Sequence, residues 1–156
     1  MTPIIRAFRR TDAFQTRQVF TDAVRIGASS RYTPAELHDW VPDPAMPDYW
    51  GQWLDSHITL VAEDPPELQG FMMIERDGYL IMAFVRPGHM DTGLADQLYS
   101  ALSSKTRLTT LASRHAQSFF LRHGWHHAPD LTDIKGLDPN QRPDDNPVNR
   151  PMALTR

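Results

Sequence analysis

At 156 residues, with 40% hydrophobic and 22% charged residues, the chain suits one soluble domain (1–156), since a domain this size buries roughly two-thirds of the surface its unfolded chain exposes. The net charge of -3 gives no reason to expect nucleic acid as a partner, and the absence of cysteine removes disulfide frameworks, thiolate metal sites and thiol nucleophiles. No apolar stretch reaches about 18 residues, and the apolar run in MTPIIRAFRR is too short for a signal sequence, so a cytoplasmic protein without membrane association is expected.

Ile4 to Phe8 predict a first strand. Asp12 stands where a helix needs a cap, ahead of Phe20, Ala23, Val24 and Gly27 at helical i, i+3, i+4, i+7 spacing, and Gly27 ends that helix. Thr33-Pro34-Ala35-Glu36 places a capping hydroxyl, a proline at the first helical position and a glutamate that reaches back, so a short helix runs to Trp40. After the breaker VPDPAMPD, a third short helix carries Tyr49, Trp50, Trp53 and Leu54 on one side. Strands follow at Ile58 to Glu63, Gly70 to Arg76 and Tyr79 to Val85, the last two joined by the hairpin signal Asp77-Gly78. YLIMAFV has no polar break, which predicts a central strand buried on both faces.

That strand runs into VRPGHMDTGLADQLYSAL, a turn holding Gly88 and Gly93 that leads directly into an amphipathic helix with Leu94, Leu98, Ala101 and Leu102 as its buried stripe. A helix start carries unpaired N–H groups and a partial positive charge, and small residues let an anion reach that backbone; phosphate is the usual guest. Gly88-x4-Gly93 has the outer spacing of a nucleotide-binding phosphate loop, but Leu94-Ala95 stand where Lys-Ser/Thr would, which argues against nucleotide hydrolysis. Arg107 to Ala112 return as a strand, Ala116, Phe119 and Phe120 mark a short helix ended at Gly124, and the loop Asp138 to Asn149 precedes a final strand PMALT.

This order of strands and helices resembles the GNAT fold of acyl-CoA-dependent N-acyltransferases, an α/β (α+β) architecture with a mixed sheet of about seven strands flanked by four or five helices. Val85-Arg86-Pro87 followed by Met90-Asp91-Thr92-Gly93-Leu94-Ala95 resembles the family's Val-x-Pro turn and Arg/Gln-x-x-Gly-x-Gly/Ala loop. Ala116, Phe119, Phe120, Gly124 and Trp125 match its Ala-x-x-Phe-Tyr/Phe-x-x-x-Gly-Phe element with one conservative change, and RYTPAELHDW from Arg31 resembles an element in one branch of small bacterial members. The resemblance implies acetyl-CoA as co-substrate, its pyrophosphate on backbone N–H groups from Asp91 to Ala95 (Asp91, Thr92, Gly93, Leu94, Ala95). It implies pantetheine paired with the strand edge at Phe84 and Val85, and Met90 and Phe120 against the same ligand. Met90 departs from the family's Arg or Gln, and Asp91 has two competing readings: a poor neighbour for a diphosphate, or a cap for the helix itself.

Acyl transfer to an amine needs a base for the amine proton and an acid for the leaving thiolate. The family's acidic position in the central strand and its tyrosine in the last helix correspond here to Ile81 and Phe120, neither of which moves a proton. Glu75, Tyr79, His89 and His115 remain, with Glu75 first as base, against the plain readings of a solvated hairpin end for Glu75 and packing for Tyr79. His126-His127 lack metal-ligand spacing, and no metal is expected. Tyr32, Trp40, Tyr49, Trp50 and Trp53 cluster where the fold builds its acceptor wall, although core packing explains most such rings. The resulting expectation is an acetyl-CoA-dependent N-acetyltransferase acting on a small molecule or peptide amine; the competing ones are a catalytically degenerate GNAT-fold binding or regulatory module, and nucleotide binding. A homodimer stays open.

Overall fold

The computed structural model describes residues 3–102, 107–113, 117–122, 124–128 and 149–155. Along the chain run β1 (Ile4–Ala7), α1 (Ala13–Asp22), α2 (Pro34–Trp40), α3 (Trp50–Asp55), β2 (Ile58–Asp64), β3 (Glu67–Ile74) and β4 (Tyr79–Val85). They are followed by α4 (Leu94–Ala101), β5 (Arg107–Ser113), α5 (Gln117–Arg122), β6 (His126–His127) and β7 (Asn149–Thr155). The strands form a mixed seven-stranded sheet in the order β1-β2-β3-β4-β5-β7-β6, with β4 and β5 parallel, as the α/β reading requires. The backbone gathers into two compact units, Met1–Ile74 with Met82–Ser103, and Glu75–Ile81 with Ser104–Arg156.

In the first unit, α1 passes without a break into a π-helical turn, Ala23–Gly27, and Val19, Phe20 and Val24 face its core. The α2 start is the expected reciprocal cap: Glu36 N–H donates to Thr33 Oγ1 at 3.2 Å and Thr33 N–H to Glu36 Oε1 at 3.1 Å. Asp12 is different. Its side chain makes no cap bond to α1; instead it accepts two bonds from the Arg6 guanidinium (2.8 and 2.9 Å) and one from the Arg9 N–H (2.7 Å), while Arg6 also reaches Glu63 at 2.7 Å. The cap expected of Asp12 is therefore a buried ion pair tying β1 and β2 to the entry of α1. Burial alone would raise this carboxyl, but the Arg6 and Arg9 donors outweigh it and hold it below the ordinary carboxylate range.

The strand buried on both faces is β3, not β4. Every residue from Leu68 to Ile74 is buried, and α1 and α4 both pack on β3, whereas β4 alternates buried Leu80 and Met82 with half-buried Tyr79, Ile81 and Ala83. An unbroken apolar run cannot by itself tell full enclosure from one packed face. β3 also begins earlier than its apolar run suggests, because a register shift beside Ala62 and Glu63 sets Gly70 and Leu68 opposite them and leaves Gln69 as the extra residue of a bulge. In α4 the buried stripe is Leu94, Leu98, Tyr99 and Leu102; Ala101 is exposed. On α3, Trp50 and Leu54 are buried and Trp53 is half-buried, while Tyr49, one residue before the helix, is exposed, so the four do not share one buried side.

In the second unit the Asp77-Gly78 turn closes as predicted, with Gly78 at φ 98°, Glu75 N–H donating to the Tyr79 carbonyl (2.8 Å) and Tyr79 N–H to Asp77 Oδ1 (3.0 Å). Gly124 stops α5 at φ 86°, and the buried Trp125 ring packs on Phe120 at 4.8 Å. β7 starts at Asn149, earlier than the PMALT segment, and the expected loop before it lies outside the described residues.

Asp12→Asn keeps the shape but leaves Arg6 without its principal partner, so it should destabilise the protein by about 2 kcal/mol, a fall in Tm of roughly 4–8 °C. Because the folded carboxyl titrates below its unfolded value of about 3.9, its contribution is complete above that pH and disappears as pH falls through the lower folded value. Melting curves of both proteins should therefore converge in acid; an equal gap at pH 7 and pH 2 would assign the loss to another cause.

Candidate active site

The turn between β4 and α4 starts from a fixed point. Arg86 donates its backbone N–H to the Gln69 carbonyl (2.8 Å) and Nε to the Leu68 carbonyl (2.7 Å), and its Nη1 meets Asp22 of α1 at 3.2 Å. The bulged segment of β3 thus accepts both bonds, and the guanidinium is tied to the protein rather than offered to a ligand. Beneath this turn β3 comes very close: a Cβ on Gly70 would stand 2.9 Å from Val85 Cγ1, 3.1 Å from the Phe84 carbonyl and 3.3 Å from Leu98 Cδ1. Glycine is required there by the approach of β4 and α4.

Pro87–His89 form one 3-10 turn, in which the His89 N–H donates to the Arg86 carbonyl at 2.9 Å. Met90 then folds against the end of the π turn, its sulfur 3.0 Å from where a Cβ of Gly27 would lie. The residue standing in place of the family's Arg or Gln is therefore half-buried packing. Asp91 (φ 60°) and Gly93 (φ 87°) are left-handed on either side of Thr92, whose hydroxyl donates to the His89 carbonyl at 2.6 Å. Gly93 occupies the cap position of α4, and among the described residues no side chain caps the first-turn N–H groups. The self-capping reading of Asp91 is corrected by this geometry: the residue is exposed, lies two places before the cap, and adopts a conformation in which its carboxylate makes no cap bond.

The space beside the turn is open. A Cβ at Gly88 or at Gly93 would meet nothing within 4 Å, so the small residues leave room that the protein itself does not fill. Exposed backbone, left-handed corners and an uncapped helix start are together what a diphosphate needs, and the residues present fit the phosphates of CoA. Phe84, half-buried at the end of β4, meets the rings of Phe20 at 5.0 Å, Phe71 at 6.0 Å and Trp40 at 6.2 Å. Of the five aromatics expected as an acceptor wall, Tyr32 and Trp50 are core, Trp40 is half-buried beside Phe84, and Tyr49 and Trp53 pair with each other at 6.2 Å.

Of the proton-transfer candidates, Glu75 and Tyr79 belong to the second unit. Glu75 is half-buried at the hairpin, close enough to Tyr79 for its charge to matter: burial raises the Tyr79 hydroxyl above its ordinary value, and the Glu75 carboxylate raises it further. Phe120 is buried against Trp125, Ile81 is half-buried, and His115 lies outside the described residues. His89 closes the 3-10 turn of the first unit. Among the described residues no cluster of three His, Cys, Asp or Glu could hold a metal ion.

Sequence patterning misses two elements of this turn. Arg86 carries no motif of its own, because its partners are carbonyls far away in the chain. Gly70 does carry a signal, an isolated glycine in an apolar strand, which marks close backbone approach.

The family model for the acetyltransferase (GNAT) domain matches residues 29–138. The chain belongs to the GNAT acetyltransferase family. The Escherichia coli (strain K12) protein described as the uncharacterized N-acetyltransferase YafP is 31% identical over 123 residues, 78% of this chain and 79% of that one. Among solved structures, a GNAT protein from Rhodopseudomonas palustris superposes with TM-score 0.79 at 20% identity, covering 100% of this chain and 97% of that one. The PaiA N-acetyltransferase of Thermoplasma acidophilum, in complex with coenzyme A, superposes with TM-score 0.72 at 14% identity over 100% of both chains. These two likenesses establish the fold of this GNAT domain.

Gly93→Val places a branched side chain at φ 87°, where its Cβ meets nothing within 4 Å, so the free protein should lose about 1–2 kcal/mol, chiefly from backbone strain. Gly88→Ala, with equal space and no left-handed backbone, should melt like wild type. Identical thermal melts for the two variants would contradict the left-handed corner at Gly93.

Proposed function

We propose that this GNAT domain transfers the acetyl group of acetyl-CoA to the amine of a small molecule or peptide, by direct attack of the amine on the thioester carbonyl. The observation that carries this reading is the approach to α4: two glycines with open space beside them, and helix N–H groups that no side chain caps among the described residues. Backbone from Asp91 to Ala95, including Thr92, Gly93 and Leu94, holds the pyrophosphate, and the Phe84–Val85 edge pairs with the pantetheine amides. Met90 fixes the loop from behind. The CoA complex of the Thermoplasma relative supports the choice of co-substrate.

In the transfer a nitrogen–carbon bond forms and the carbon–sulfur bond breaks; the amine proton passes to the base, the acid gives its own proton to the CoA thiolate and is reprotonated from the base, so the net change is one proton moved from nitrogen to sulfur. Glu75 is the base proposed to take the amine proton. Tyr79 stays protonated at neutral pH because burial and the Glu75 charge both oppose its ionisation, which suits a donor to the leaving sulfur. His115 is the third candidate. The proposed setting is the cytoplasm, with neither nucleic acid nor membrane as partner; no described helix is long and apolar enough to cross a membrane.

A second reading, a GNAT-fold module that binds without catalysing, is favoured by Ile81 and Phe120 at the positions the resemblance assigns to proton transfer. Thermal melts separate the two. At about 100 times its dissociation constant acetyl-CoA should stabilise the protein by about 2.7 kcal/mol, roughly 5–10 °C, with no shift from ATP. Glu75→Gln should keep that shift while lowering turnover and altering the pH–rate profile. No shift at millimolar acetyl-CoA would favour the module, and an unchanged profile would clear Glu75.

A further inference from the structure

A cavity of about 490 Å³ opens between α1 and the segment 44–46, with Arg86 of the β4–α4 turn on its wall, within the size range of small-ligand sites. Arg17 lines it and is nine-tenths buried, at 9% exposure. Its guanidinium lies over the rings of Phe20 (5.0 Å) and Trp50 (4.9 Å) and donates once, from Nη2 to the Asp43 carbonyl at 2.8 Å. Nε is buried without a hydrogen-bond partner, and among the described residues no carboxylate forms an ion pair with Arg17. The hydroxyl of Thr21, on the same cavity wall, is also buried without a partner.

A buried cation held by ring faces and one carbonyl, with the Asp43 carboxylate near enough to be felt but forming no ion pair with it, is costly unless an anion joins it directly. The remaining wall defines that anion. Phe14 and Met46 are exposed apolar side chains at the cavity, 62% and 39% accessible, which suits an aliphatic or aromatic tail. Asp22, paired with the lining Arg86, and Glu67 also stand on the wall, and these two carboxylates disfavour a polyanion such as a phosphate ester.

We propose that this cavity is a second ligand site, taking a small monocarboxylate whose charged end meets the Arg17 guanidinium and whose apolar tail lies against Phe14 and Met46. The site shares Arg86 with the β4–α4 turn but makes no use of the α4 start, and the proposal stands whether or not the chain is an acetyltransferase.

Titration of the full chain with hexanoate, followed by amide NMR shifts, tests this, with hexanamide and hexylamine as neutral and cationic controls. Saturable shifts confined to residues 14–22, 43–46, 67 and 86 are expected for hexanoate, with hexanamide at least about tenfold weaker and hexylamine inert. Arg17→Gln should erase the preference for hexanoate over hexanamide. Ala45→Trp, which fills the cavity from an exposed position and leaves Arg17 intact, should abolish binding. Equal binding of hexanoate and hexanamide, shifts centred on residues 91–95, hexanoate binding that survives Ala45→Trp, or no saturable shift at millimolar hexanoate would each overturn the proposal.

Discussion

The candidate site depends on one side chain that does not face a ligand. Arg86 ends β4 and stops the strand from continuing, because its N–H and Nε are both taken by carbonyls of the β3 bulge and its Nη1 by Asp22. The chain must therefore turn at Pro87, and from that fixed corner the 3-10 turn and two left-handed residues deliver Leu94 as the first residue of α4. Charge-assisted donors to backbone carbonyls in a partly buried setting are among the stronger hydrogen bonds a protein makes. A helix N-terminus can serve as a preformed anion site only if it stays where the strand leaves it.

Two missing Cβ atoms complete the device. Gly70 allows β3 to lie directly beneath Phe84, Val85 and Leu98, and Gly27 allows Met90 to seat against the π turn that ends α1. The loop is thus held from below and from behind by packing, and its outer side is left as bare backbone. π turns recur at functional sites because the extra residue bulges the helix locally; here it brings Gly27 to the back of the loop. The ring contacts of Phe84 with Phe20 and Trp40 extend the same support to the end of β4.

Much of this was legible in the sequence wherever the determining contacts are local. The Thr33 to Glu36 cap, the Asp77-Gly78 hairpin, the Gly124 stop and the glycine-flanked approach to α4 each involve partners within a few residues, so spacing alone specifies them. Legibility failed where competing partners, backbone conformation or tertiary packing decide. Asp12 has the right residue type for a cap, but Arg6 and Arg9 claim its carboxylate; Asp91 lost the same role because left-handed backbone moved the cap to Gly93. The apolar run of β4 exceeds that of most strands, yet it is β3 that α1 and α4 both cover, and no one-dimensional pattern reveals which strand the helices choose.

Hydrogen exchange at the backbone amides of residues 91–95, measured with and without CoA, tests the central claim most directly. Uncapped N–H groups at the α4 start should exchange rapidly in the free protein and become strongly protected by CoA, with little protection from pantetheine, which lacks the pyrophosphate. Exchange at these amides that is the same with and without saturating CoA would contradict the assignment of the α4 start as the phosphate site.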